Sequence, residues 1–294
     1  MRLRFILAMC LVVTACAEKE VEDLVKRLKT RDAQELREVT GKIARLPNAL
    51  AVPALRQGLH AAKWRTRYMS AKLLGRFQAQ EAIPELIDAL DDSIGGVTVQ
   101  AAGALGALQA QEAVPGLIDL LDDTNEVVQI AAANALGQIS APAALPALGR
   151  LSESVVMSVR AAAISALGPC HDSSSAPQQS ADALRRTRRA LDDVFVSIRI
   201  AGIVSLRSFD YRGSADDLLR LLNDPSTEVQ HVAVQALGEI TSVDQSAWQG
   251  HAAPDMRLIT DALDSIATAT TNVAVRTRAQ QSLATIAEAS TVFP

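Results

Sequence analysis

Four histidines, three cysteines and a recurring set of arginines are the reactive or strongly polar groups that stand out in this 294-residue chain. The histidines occur as His60-Ala61, His171-Asp172, His231-Val232 and His251-Ala252, so none precedes a glutamate. None is spaced with cysteine as metal ligands are, and there is no Gly-rich phosphate loop or nucleophile elbow. Neither a metal, a cofactor nor a small-molecule substrate is therefore expected, and the chain is expected not to be an enzyme. Cys170 stands far from Cys10 and Cys16, and a buried, inert thiol is its expected state. The arginines are more regular. Arg67, Arg160, Arg199 and Arg276 share one position of a repeat, alternating with Thr98, Gln129 and Gln230. Asp92, Asp123, Asp193 and Asp224 recur in the turns. Guanidinium and carboxylate form bidentate, charge-assisted pairs, so these two sets are expected to make a structural ladder between adjacent units. Recognition of an anionic partner by the arginines is the alternative.

The repeat itself must position them. Glycines 75, 106, 137 and 168 stand 31 residues apart, and so do prolines 53, 84, 115 and 146. A fixed period of this length marks an array whose core lies between neighbouring units. Counting back from each closing position, Leu74, Leu105, Leu136, Leu167, Leu206, Leu237 and Leu283 stand one before it. Ser70, Ala101, Ala132, Ala163, Gly202, Ala233 and Ala279 stand five before, with Thr66, Val97, Val128, Val159, Ile198, Val229 and Val275 nine before. Spacings of four and eight place these on one helical stripe, the buried face of the second helix of each unit. The closing glycine falls where a left-handed C-cap is wanted. The prolines fit the first turn of the first helix, where a missing N–H is harmless, and the turn aspartates can cap the helix that follows.

The Val/Ile-Pro-x-Leu openings, the Leu-x-Asp turns and Val159-Arg160-Ala161-Ala162-Ala163 through Ala166-Leu167-Gly168 resemble the HEAT-repeat family, above all the short type named after the phycobilisome lyases. The resemblance implies an all-α fold, a right-handed α-solenoid of about seven helix pairs over 47–290, preceded by degenerate capping helices within 16–46. Loop insertions are expected at 169–179 and 241–254, either on the binding face or as neutral drift. Relatives of this fold include deoxyhypusine hydroxylases, whose paired His-Glu motifs are absent here, and lyases. A lyase-like or metal-dependent activity is thus the minor alternative to a protein-binding scaffold.

With 49% hydrophobic but only 3% aromatic residues, the core must rest on close contacts between Ala- and Leu-rich helices. A net charge of -4 leaves no electrostatic footprint for nucleic acid. Arg2 and Arg4 precede an apolar run from Phe5 to Val13, the pattern of a secretory leader. Val13-Thr14-Ala15-Cys16 resembles a bacterial lipobox. The resemblance implies cleavage of 1–15, lipidation of Cys16 and residence at the periplasmic face of the outer membrane, with the membrane contacted through the lipid.

Seven before each close stand Tyr68, Val99, Ile130, Ala161, Ile200, His231 and Thr277, roughly opposite the buried stripe. Tyr68, Val99, Ile130, Ile200 and His231 are the candidate partner-binding positions on the inner curve of the array. A mainly apolar line there suits a docked peptide or partner helix, unless curvature lets these side chains touch one another. Arg185-Arg186-Thr187-Arg188-Arg189 is expected to be a solvated face offset by Asp192 and Asp193.

Overall fold

The computed structural model describes residues 18–209, 211–242 and 256–292. The leader, Cys16, and all but the first residues of the insertion at 241–254 lie outside them. The described residues form sixteen α-helices and no strand, an all-α repeat fold. The chain divides into two compact units, Met1–Ile139 and Ser140–Pro294.

The first unit opens with α1 (18–27) and α2 (Ala33–Ile43), which bury Val21, Val25, Leu28, Val39 and Ile43. Three helix pairs follow: α3 (Asn48–Leu59) with α4 (Trp64–Arg76), α5 (Ile83–Asp88) with α6 (Gly95–Ala107), and α7 (Val114–Asp119) with α8 (Glu126–Ile139). The second unit holds α9 (Leu145–Leu151) with α10 (Met157–Leu167), α11 (Pro177–Ala190) with α12 (Val196–Leu206), α13 (Tyr211–Leu221) with α14 (Thr227–Ser242), and α15 (Met256–Ala269) with α16 (Val273–Val292). Within each unit successive second helices pack on one another: α4 on α6 on α8, and α10 on α12 on α14 on α16.

The stripe read from the sequence forms the core of these contacts. Leu74, Leu105, Leu136, Leu167, Leu206 and Leu237 are fully buried, as are Ala101, Ala132, Ala163, Ala233 and Ala279. Leu283 is half-buried.

The closing glycines serve a different purpose from the one expected. None is left-handed; Gly168 has φ -62°. The left-handed non-glycine residues are Gln78 (φ 52°), Gln109 (φ 53°) and Ser140 (φ 57°), each standing three positions beyond a closing glycine. At Gln109 the helix ends in a Schellman motif, with Gln109 N donating to Gly106 O (3.0 Å) and Ala110 N to Leu105 O (3.0 Å). The glycines instead admit the next helix. A Cβ on Gly75 would lie 3.0 Å from Ala104 Cα, and one on Gly106 2.9 Å from Ala135 Cα. A Cβ on Gly168 would overlap the Ser205 carbonyl.

Two further expectations need correction. Pro84, Pro115 and Pro146 do lie in the first turn of α5, α7 and α9, but Pro53 lies inside α3, which starts at Asn48. Each of α5, α7 and α9 is preceded by a separate 3-10 turn; in α3 those residues join the α-helix. The turn aspartates do not cap the next helix directly. Asp92, Asp123, Asp193 and Asp224 each accept from the backbone N–H two residues on, at 2.9, 2.6, 2.9 and 2.8 Å. This Asx turn leaves the rest of the carboxylate free to reach another repeat.

Candidate functional site

Arginine–aspartate rungs join adjacent repeats. Arg67 grips Asp92 of the following repeat through Nε (2.5 Å) and Nη2 (2.8 Å), while Nη1 donates to Ala61 O (2.9 Å). Arg199 grips Asp224 in the same way, at 2.8 Å for both bonds, with Nη1 on Asp193 O at 2.9 Å. Both pairs span 25 residues. The Arg67 guanidinium holds the Asp92 carboxyl below its ordinary range, assisted by the Ile94 N–H and opposed by burial. Arg160 meets Asp193 only at 3.7 Å. Among the described residues Asp123 has no arginine partner, and Thr98 stands where the preceding repeat would supply one. Arg276 belongs to the last repeat and donates to Thr270 O (2.6 Å) instead. The ladder therefore has two tight rungs and one loose one among the described residues.

The exposed side of the second helices differs from the sequence reading in its register. Tyr68, Val99, Ile130, Ile200 and His231 are half-buried rather than facing solvent, as is Ala161, and only Thr277 is exposed. Neighbouring helices approach so closely that the Tyr68 ring lies 3.8 Å from where a Cβ of Gly96 would be. Ile200 packs on the core of the second unit, and Ala161 on the cluster of Ile164, Ala190, Ile198 and Ala201. In the first unit the exposed positions lie three before and, on α6 and α8, ten before the close. These are Lys72, Gly103 and Asn134, with Gly96 and Val127 (59% exposed) two helical turns earlier. Trp64, 40% exposed, meets Tyr68 edge-on at 6.3 Å, and Arg65 stacks over its ring. Sequence reasoning carried this face on to Lys72, Gly103 and Asn134 but passed over Trp64, Gly96 and Val127. Their signal was the 3.6-residue period continued by one more turn from Val99 and Ile130.

Helix α6 carries no charged residue from Gly95 to Ala107, although Gly96, Gly103 and Ala107 are exposed. Nothing lies within 4 Å of a Cβ built on Gly103. Glycine inside a helix is about 1 kcal/mol worse than alanine, and here no neighbouring side chain needs the space.

The basic run of α11 is largely engaged rather than merely solvated. Arg185 and Arg186 pair with Asp182, Arg186 also with Glu153, and Arg188 with Asp217. The segment expected as a solvated loop begins inside the protein: Cys170 is fully buried, and burial pushes its thiol up to about 12. Asp172 then folds the exposed serines back, accepting from the Ser174 and Ser175 hydroxyls, which hold its carboxyl well below its ordinary range.

Comparison with known proteins places this geometry. The HEAT-repeat model matches residues 21–102 and 95–168, and a second HEAT model matches 216–243. Among curated proteins no sequence match was found. The complex of CpcE and CpcF of phycocyanin lyase from Nostoc sp. PCC7120 is similar in structure, with a TM-score of 0.55 and 22% identity over 82% of this chain and 95% of that one. An engineered protein matches at a TM-score of 0.49 and 23% identity, covering 91% of this chain and 78% of that chain. Human deoxyhypusine hydroxylase matches at 0.38 and 19%, covering 94% and 99%. The likeness to the lyase complex is one of fold, and it corrects the expectation that this chain is no enzyme. A stack of helix pairs is a framework that a lyase uses, so neither the array nor its lack of familiar motifs argues against catalysis. The matched repeats span half of the sequence and agree with the helix pairs observed, and the chain belongs to the HEAT-repeat family.

Proposed function

We propose that this chain binds a partner protein along the exposed face of its second helices and is held at a membrane through Cys16. The observation that carries the first part is the uncharged surface of α6, with Gly103 open to solvent and Trp64 and Val127 exposed on the flanking helices. Exposed glycine lets a partner backbone come close, and the aromatic and branched side chains beside it supply apolar contact. Lys72 and Arg65 on α4 and Asn134 on α8 form a polar rim. A peptide or helix with an apolar strip fits such a face. A photo-crosslinking amino acid at Gly103 in intact cells tests this: it is expected to trap a discrete adduct, whereas one at Glu81, exposed in the 3-10 turn ahead of α5 and not on a second helix, traps none. Equal labelling from both positions, or none from Gly103, would refute the reading.

Tethering rests on residues 1–16, and no helix among the described residues is long and apolar enough to cross a membrane. A Cys16→Ser variant is expected to leave the membrane fraction and to lose incorporation of labelled fatty acid. Unchanged fractionation and labelling would refute it.

The likeness to the lyase complex supports a second reading, a lyase-like role exercised together with a partner chain. Incubation with phycocyanin, followed by its visible absorption, separates the two: a spectral change that needs this chain favours the lyase-like role.

A further inference from the structure

The loose rung at Arg160 borders a cavity of about 420 Å³ within the second unit. In the two tight rungs the Nε and Nη2 edge of the guanidinium is filled by a carboxylate. At Arg160 the same edge is nearly empty. Its Nη2 stands 3.7 Å from Asp193 Oδ2, beyond hydrogen-bonding reach, and its Nε is buried without an acceptor. The guanidinium is nonetheless held in place, by Nη1 on Ser154 O (3.3 Å) and by the Phe195 ring 5.7 Å away. A buried donor left unmatched destabilises the folded state, and the cavity offers it room for an acceptor.

The other walls are consistent with an anion. Arg189 lines the cavity, is exposed, and makes no ion pair among the described residues. Arg186 also lines it, but its Nε is committed to Asp182 and its Nη1 to Glu153 and Gly149 O. Ser152 turns its hydroxyl to Gly149 O (2.7 Å). The carboxylates present are thus Glu153, held by Arg186, and Asp193, whose Oδ1 accepts from Phe195 N. Three guanidiniums face two carboxylates; Arg160 Nε is the buried donor without an acceptor, and Arg189 is the cation without an ion pair among the described residues. Buried Ile164 and Ile198 give the cavity an apolar floor.

We propose that this cavity binds a small carboxylate ligand, whose carboxyl group takes the Nε/Nη2 edge of Arg160 that a protein aspartate fills elsewhere, with Arg189 as the second cation. A planar carboxylate matches that edge, and a short carbon skeleton matches the floor.

Isothermal titration of the purified full chain with sodium succinate, at constant ionic strength and with sodium phosphate as a comparison, tests it. Saturable succinate binding is expected, weakened roughly tenfold or more by Arg160→Gln and by Arg189→Gln. Asp193→Asn is expected to tighten binding, since it removes the competing charge and keeps an oxygen for Phe195 N. Circular dichroism identifies variants that remain folded; Arg189 is exposed, so its variant keeps the test open if Arg160→Gln unfolds. Absence of saturable succinate binding, unchanged affinity in the folded variants, or tighter binding of phosphate than of succinate would overturn the proposal.

Discussion

Replacing Asp224 by alanine is expected to lower the stability of the second unit by about 3–5 kcal/mol, measured by urea unfolding followed by circular dichroism. The Asp224 side chain is 5% exposed and that of its partner Arg199 11%. Removing the carboxylate leaves a largely desolvated guanidinium with only the Asp193 and Val194 carbonyls to satisfy it. The Ser226 N–H loses its acceptor too, so the turn between α13 and α14 loosens at the same time. The double replacement Arg199→Met with Asp224→Leu is expected to recover most of the loss, because two apolar groups of similar size leave no charge stranded. If the single variant unfolds at the same urea concentration as the natural chain, the rung contributes nothing.

The equivalent rung in the first unit adds a signature in pH. The Asp92 carboxyl is depressed below its ordinary 3.8, chiefly by the hydrogen bond from Arg67. A depressed carboxylate contributes stability that is complete above its ordinary value and is lost as pH falls through the lowered one. The first unit is therefore expected to weaken below about pH 4, and Asp92→Asn to flatten that part of the profile.

The second large effect lies at Gly106. Alanine there is expected to destabilise the first unit by roughly 1–3 kcal/mol, the usual result of forcing an extra carbon into a filled contact. The new Cβ would sit 2.9 Å from Ala135 Cα and 2.5 Å from Gln138 Oε1. The glutamine can swing aside, but the backbone of α8 cannot without shifting the stack. Three residues later the opposite holds. Gln109 adopts φ 53°, where an L side chain is strained by about 1 kcal/mol or more, so Gln109→Gly is expected to stabilise by about 1 kcal/mol. Thermal unfolding of the pair settles the assignment: if glycine is needed at 106 for backbone freedom, alanine at 106 and glycine at 109 will not act in opposite directions.

Gly106 and Gln109 also show where a linear reading reaches its end. A glycine at the close of a helical period looks the same whether it turns the chain or admits a neighbour. Only the position of Ala135, 29 residues away, distinguishes the two. Val99 and Ile130 were placed on the outward side by their angle on an isolated helix, yet the spacing of adjacent helices half-covers them and leaves Gly103 and Val127 as the open positions. The arginine ladder was legible as a recurring pair of residue types. That Arg160 holds its aspartate loosely was not, because this depends on how the longer connection before α11 sets Asp193 against it. The correction on catalysis has the same root, since motif searches test local patterns while a fold can assemble chemistry from residues far apart.

Taken alone, the order of residues determined the helical class, the period of 31, the buried stripe and the residue types that form the rungs. All of these follow from side-chain direction along one helix and from repetition, which are local properties. Tertiary structure decided which glycines touch a neighbour, which apolar side chains stay open, and which guanidinium lacks a mate. Those depend on distances between helices, and side-chain volumes summed over the whole stack set them.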